Sequence, residues 1–206
     1  TLLNINQSRF GLTEVLSILE VPAILRRFEL DEDDFEMIKR WLDHANVRWG
    51  RDEHSRKKLG LPAFSQNSWA FGVKRLILGY ALNDDSPTYQ GSLPVSGVEG
   101  QSAQALGKLL NFLEAIDEHA HGFINASSTA ERLAQINQLI EDFYQTNDDE
   151  QSQILTIRNA LASLSEELIE AGHQGLVNIE VLKQWFNQTL NDSRVGQRYL
   201  AGSINF

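Results

Sequence analysis

The chain contains no cysteine among its 206 residues, and no continuous apolar run approaches the ~18 residues that a membrane-spanning helix needs. The first absence excludes disulfides, a thiol nucleophile and every zinc site built on thiolates, and it fits a reducing compartment. The second leaves no candidate span, and the N-terminus lacks the basic-then-apolar order of a signal segment, so a soluble, cytoplasmic protein without membrane contact is expected. A start at Thr1 instead of Met suggests a piece excised from a longer chain. At 42% apolar content, one sizeable core is affordable, and a single domain over residues 1–206 is expected.

Catalytic motifs are missing as well. Gly107-Lys108 is the nearest approach to a phosphate loop, but Leu109 stands where a Ser or Thr would hold magnesium, Ser102 stands where the first Gly is needed, and no strand precedes it. The acidic run Asp31-Glu32-Asp33-Asp34 fails as a calcium loop. Its sixth position is Glu36 instead of Gly and its twelfth is Leu42 instead of Glu, so a charged helix N-terminus explains it better. Glu118, His119 and His121 are the one concentrated set of possible metal ligands. Histidines two apart on a helix point about 200° apart and cannot share an ion, so a solvated C-terminal turn is the expected role. His173 lies beside Gly172 with no visible partner, and no Gly-x-Ser-x-Gly elbow occurs. The expectation is a chain with no catalytic residues, no metal, no cofactor and no small-molecule substrate.

Charge is unevenly spread. The chain carries a net charge of -10, yet residues 46–80 hold seven Lys/Arg against two acids, a local balance of +5 against -15 elsewhere. Arg48, Arg51, Arg56, Lys57, Lys58, Lys74 and Arg75, interleaved with Trp49 and Trp69, have the ingredients of a nucleic-acid surface: cations for phosphates and aromatic faces for stacking. The same residues fit a folded core, with the tryptophans inside and the cations as a solvated rim.

Helical periodicity runs almost throughout. A helix capped by Asp31 and ending near Ala45 places Phe35, Ile38, Trp41, Leu42 and Ala45 on one face. A second, about 68–82, repeats Trp69, Val73, Leu76, Ile77 and Tyr80 at spacings of three and four. Residues 83–100 are rich in Gly, Pro, Ser and Asp and read as a long loop. Four further stripes follow: Leu106, Leu109, Leu110, Leu113 and Ile116; Leu133, Ile136, Ile140 and Phe143; Ile154, Ile157, Leu161, Leu164 and Leu168; and Leu182, Trp185, Phe186 and Leu190 behind an Asn178 cap. Breaks are expected at Ser127-Ser128, Asn147-Asp148 and 172–175. The terminal stretch 196–206 has β character in Ile204 and Phe206. The sum is an all-α, irregular multi-helix bundle: a basic, Trp-containing half over 1–82, a loop over 83–100, an acidic helical half over 101–195, and the terminal segment 196–206.

Val47-Arg48-Trp49-Gly50, Leu61-Pro62, Gln66, Trp69, Phe71-Gly72, Arg75 and Leu78-Gly79-Tyr80-Ala81 form a block that resembles the gamma chain of exodeoxyribonuclease V, the RecC subunit family of RecBCD. Residues 16–28, Leu93-Pro94 with Glu99-Gly100, and Gln197-Arg198-Tyr199-Leu200-Ala201-Gly202 resemble it too, in the same order. Ser68 and Val95 depart from the pattern, which has threonine and an aromatic residue there. About 101–191 resembles the family mainly in hydrophobic pattern. The resemblance implies an inserted accessory helical domain of a superfamily-one helicase-like protein without working ATPase motifs. It also implies RecB-like and RecD-like partners, double- and single-stranded DNA as the substrate of the whole assembly, work in break repair and Chi recognition, and a bacterial cytoplasm. Two roles follow for this chain. In the first it is a non-catalytic structural and DNA-handling domain; in the second it is an acidic helical docking module whose tryptophans are entirely structural. A single exposed face holding Arg48, Arg51, Arg56 and Arg75 would favour the first, and dispersal the second.

Overall fold

A computed structural model describes residues 2–82, 88–100 and 102–200, with side chains described through residue 189. Among the described residues the fold is all-α: α1 Leu12–Leu19, α2 Pro22–Arg27, α3 Glu32–His44, α4 Glu53–Lys58, α5 Trp69–Ala81, α6 Ser102–Gly122, α7 Thr129–Phe143, α8 Asp148–Glu170 and α9 Ile179–Leu200. Two short strands, β1 Ser127–Ser128 and β2 Leu176–Val177, pair antiparallel with Ser127 opposite Val177. The chain divides into two compact units, Thr1–Glu118 with Phe143–Gln145, and His119–Asp142 with Thr146–Phe206.

In the first unit, α3 forms as its sequence dictates. The Asp31 carboxylate accepts from the Asp34 amide at 2.7 Å, acids fill the first turn, and Phe35, Ile38, Trp41 and Leu42 are buried, with Ala45 just beyond. The α5 cap is also as expected, Ser68 Oγ accepting from the Phe71 amide at 3.2 Å. Its buried face differs from the apolar stripe. Trp69, Gly72, Leu76 and Gly79 are buried, whereas Ile77 and Tyr80 are exposed. The helix turns its glycines inward because neighbouring chain comes too close for a side chain. A Cβ at Gly72 would lie 2.2 Å from Val47 Cγ2, and one at Gly79 would lie 1.8 Å from the Val95 carbonyl oxygen. Close approach of Val47 and of the Val95 backbone thus outweighs apolar periodicity on this helix.

The Val95 amide donates to the Arg75 carbonyl at 3.1 Å, and Ser92, Val95 and Val98 are buried, so the non-helical stretch 88–100 is anchored at these points while most of it is exposed. Residues 83–87 of the expected loop lie outside the described residues. Phe28, Phe112 and Phe143 meet edge to face with centroids 5.2, 5.7 and 6.2 Å apart, a geometry that adds about 0.5–1.5 kcal/mol per pair to area burial.

In the second unit, α7 buries Leu133, Ile136, Leu139 and Ile140. Asn147 and Glu150 build a reciprocal capping box at the start of α8. The long α8 stripe is only half realised, with Leu161 and Leu164 buried while Ile154, Ile157 and Leu168 are partly covered. Gly172, at φ +64°, follows the end of α8 in the expected 172–175 break. Leu182 and Phe186 of α9 are buried. That helix continues to Leu200, past the expected end near Leu190 and into the stretch assigned to a separate terminal segment; Ile204 and Phe206 lie outside the described residues.

Truncating buried Leu161 to Ala should cost about 2–5 kcal/mol, while Leu155→Ala, exposed on the same helix, should stay within about 0.5 kcal/mol. Gly79→Ala should destabilise by about 1–3 kcal/mol through overpacking against Val95. Urea unfolding monitored by circular dichroism checks all three; equal effects at Leu155 and Leu161 would contradict the burial pattern.

Candidate functional site

The basic segment is threaded between two others by main-chain bonds. Leu12 donates to the Arg48 carbonyl at 2.8 Å and the Gly50 amide to the Arg9 carbonyl at 2.9 Å. On the other side the Arg48 amide reaches the Asn67 carbonyl at 2.9 Å, and the Trp69 amide reaches the Gly50 carbonyl at 2.9 Å. Asp52 then caps α4, accepting from the Ser55 amide at 2.6 Å while Ser55 Oγ accepts from the Asp52 amide at 3.1 Å. This fixes the first turn of a six-residue helix that the sequence pattern does not announce.

Its purpose is Arg56, which is 6% exposed. The guanidinium donates through one terminal nitrogen to the carbonyls of Phe64 and Gln66, each at 2.7 Å, and through the other to the Trp49 carbonyl, also at 2.7 Å. It lies over the Trp49 ring at 4.3 Å. Gly50, at φ +82°, is required here twice: its backbone is left-handed, and a Cβ would lie 2.9 Å from Arg56 Nε. Arg56 therefore offers no charge to a ligand. It is the fastener of the block formed by Trp49, Gly50, Gln66 and the loop around Pro62.

The other arginines are also engaged. Arg48 pairs with Asp43 at 3.0 Å and donates to Asn46 Oδ1 at 3.2 Å, with its side chain about half exposed. Arg51 pairs with Asp117 at 2.8 Å and stacks on the Phe10 ring at 3.9 Å; burial pushes its guanidinium below the ordinary value, with Asp117 and Asp52 opposing. Arg75 donates to the Leu93 carbonyl at 2.7 Å and the His44 carbonyl at 3.2 Å, and lies over Phe71 at 6.0 Å. Lys57, Lys58 and Lys74 are exposed. Trp69 is core: it is buried, and its indole nitrogen donates to the Phe10 carbonyl at 2.9 Å. Trp49 and Phe71 are half-buried, Gly72 and Gly79 buried, and Pro62, Gln66 and Tyr80 exposed.

Elsewhere, Gly107-Lys108 lies inside α6, and Lys108 Nζ donates to the Glu29 carbonyl at 2.6 Å and pairs with Asp34 at 3.2 Å. His119 pairs with Asp142 at 2.9 Å. Among the described residues no group of three or more His, Asp or Glu is placed to hold a metal ion, and no helix is long and apolar enough to cross a membrane.

Periodicity alone does not single out Arg132 of α7, although it is fully buried. Its guanidinium donates to the Val177, Gly122 and Asn125 carbonyls and to Gln135 Oε1, and burial lowers its pKa. A lone arginine on an apolar helix face was the available signal. A second feature, the exposure of Leu59, Leu61 and Phe64, was signalled by a Leu-Gly-Leu-Pro-Ala-Phe run on a basic stem.

The described residues are thus helical, and the buried guanidinium groups of Arg56 and Arg132 serve main-chain acceptors. The family model for the fourth domain of the RecBCD enzyme subunit RecC matches residues 1–194, and the chain belongs to that family. It is 28% identical over 205 residues to the RecBCD enzyme subunit RecC of Escherichia coli (strain K12) and 27% over 205 residues to that of Buchnera aphidicola (strain APS), covering all of this chain and 18% and 19% of those proteins. The Mycolicibacterium smegmatis RecC is 34% identical over 116 residues, covering 56% of this chain and 11% of the relative. The chain therefore spans under a fifth of the length of these relatives.

Arg56→Lys should destabilise the first unit by more than about 2 kcal/mol, because an ammonium cannot reach three carbonyls in one plane and leaves buried acceptors unpaired. Lys57→Ala, one residue along, should change stability by less than about 0.5 kcal/mol. Guanidinium chloride unfolding curves decide; a stable Arg56→Lys variant would mean the guanidinium is dispensable.

Proposed function

We propose that this chain is a non-catalytic architectural domain of a RecC-type subunit, acting within a RecBCD-type complex beside RecB- and RecD-type subunits. The observation that carries this is the placement of the four arginines. Arg48, Arg51, Arg56 and Arg75 all turn toward acceptors within the protein, which favours docking over a grip on DNA phosphates. The net charge of -10 points the same way, since it repels a polyanion at physiological salt. Repair of broken DNA, helicase and nuclease work, and reading of Chi belong in this proposal to the whole assembly; this domain supports it structurally. Lys57, Lys58 and Lys74 are the cations left for a DNA-handling role.

The test is a salt titration of DNA affinity for the assembled complex, wild type against Arg48, Arg51 and Arg75 changed together to Ala, with folding checked by circular dichroism. The docking role predicts equal affinities and parallel slopes. A weaker, flatter salt response, by about 0.9 in log–log slope per duplex phosphate lost, would return these residues to the DNA surface. Lys108→Ala should remove no magnesium-dependent ATP hydrolysis from the pure chain, because Lys108 serves Asp34 and Glu29; hydrolysis lost on that change would contradict the non-catalytic assignment.

A further inference from the structure

Residues 57–64, Lys-Lys-Leu-Gly-Leu-Pro-Ala-Phe, are exposed without exception. Leu59, Leu61 and Phe64 are 54%, 40% and 64% exposed, the densest run of large exposed apolar side chains among the described residues. A segment of this composition normally collapses onto a core, yet here it is held out. The Arg56 guanidinium pins the Phe64 and Gln66 carbonyls, and the Leu61 amide returns to the Arg56 carbonyl at 3.1 Å. The loop is therefore preorganised, and burying its side chains against a partner costs little further ordering.

We infer that this loop is a docking site for an acidic amphipathic helix of a partner subunit, an inference that rests on the multisubunit reading above. Three observations select that occupant. The amides of Leu59, Gly60, Leu61 and Phe64 donate to carbonyls within the loop and its stem, and Pro62 has no amide, so of residues 59–64 only Ala63 is left to pair with an added strand. Strand addition is thereby excluded, and recognition falls to side chains, which is how a helix docks. Two of the three exposed anchors are aliphatic and offer no face for base stacking, which disfavours single-stranded nucleic acid. Finally, Lys57 and Lys58 edge the apolar cluster, so the complementary surface carries carboxylates beside its own apolar stripe.

The experiment uses the full-length chain, co-purified with its RecB- and RecD-type partners, carrying benzoylphenylalanine at Phe64; a second preparation carries it at exposed Glu166 as a control. Irradiation followed by peptide mass spectrometry should identify, from the Phe64 probe alone, a partner-subunit peptide rich in Asp or Glu with apolar residues at helical spacing. Changing Leu59, Leu61 and Phe64 together to Ser should weaken subunit association by about tenfold or more with folding unchanged. Lys57→Glu with Lys58→Glu should weaken it at low salt, by a factor that shrinks as salt rises. A Phe64 crosslink to DNA, to a second copy or to another part of the same chain would overturn the inference, as would no crosslink in an intact assembly. Failure of the wild-type chain to assemble with such partners at all would sink the multisubunit reading first and this inference with it.

Discussion

A guanidinium removed from water with no carboxylate to meet it must find neutral acceptors, and each unit of this protein holds a buried arginine that finds most of them on the main chain. In the first, Arg56 gathers the carbonyls of Trp49, Phe64 and Gln66; in the second, Arg132 gathers those of Gly122, Asn125 and Val177. Arginine suits this task because its fork presents several donors in one plane and it stays charged when buried. Each acceptor lies in irregular chain or at the end of an element, where carbonyls lack helical partners. Loops that would otherwise leave buried oxygens unsatisfied are thereby given fixed shapes.

Much of the positive charge in segment 46–80 is engaged within the protein. Within it, Arg51 lies on Phe10 and Asp117, and Arg75 donates to the Leu93 and His44 carbonyls. What the segment presents outward is the half-exposed Arg48, the lysines, a bare apolar loop, and the exposed Ile77 and Tyr80 of α5. The architectural role proposed above rests on these features, in a chain that covers 18–19% of the relatives it matches.

Much of this was legible in the residues. The all-α class, the Asp31 and Ser68 caps, the α3 face and the core role of Trp69 follow from spacing and composition, because local rules and tertiary packing agree there. The family was legible from a few blocks in register. The α5 face was misread because its close contacts are made by glycine, which carries no hydropathy signal. The α4 helix was missed because six residues are too few to show a period, and its capping box is Asp-x-x-Ser in place of the usual acidic third position. Arg56 was grouped with its neighbours as a surface cation, since nothing in a run of Arg-Lys-Lys tells which cation faces inward. That distinction arises only when residues 49, 64 and 66 converge.

The central claim is that Arg56 is a main-chain fastener. Side-chain nitrogen NMR of the arginines tests it most directly. The account predicts that Arg56 shows separate, slowly exchanging Nη proton signals, the mark of arrested guanidinium rotation, and that they do not move when a single- or double-stranded oligonucleotide is added. A single averaged, rapidly exchanging Arg56 signal, or one displaced by the oligonucleotide, would contradict it.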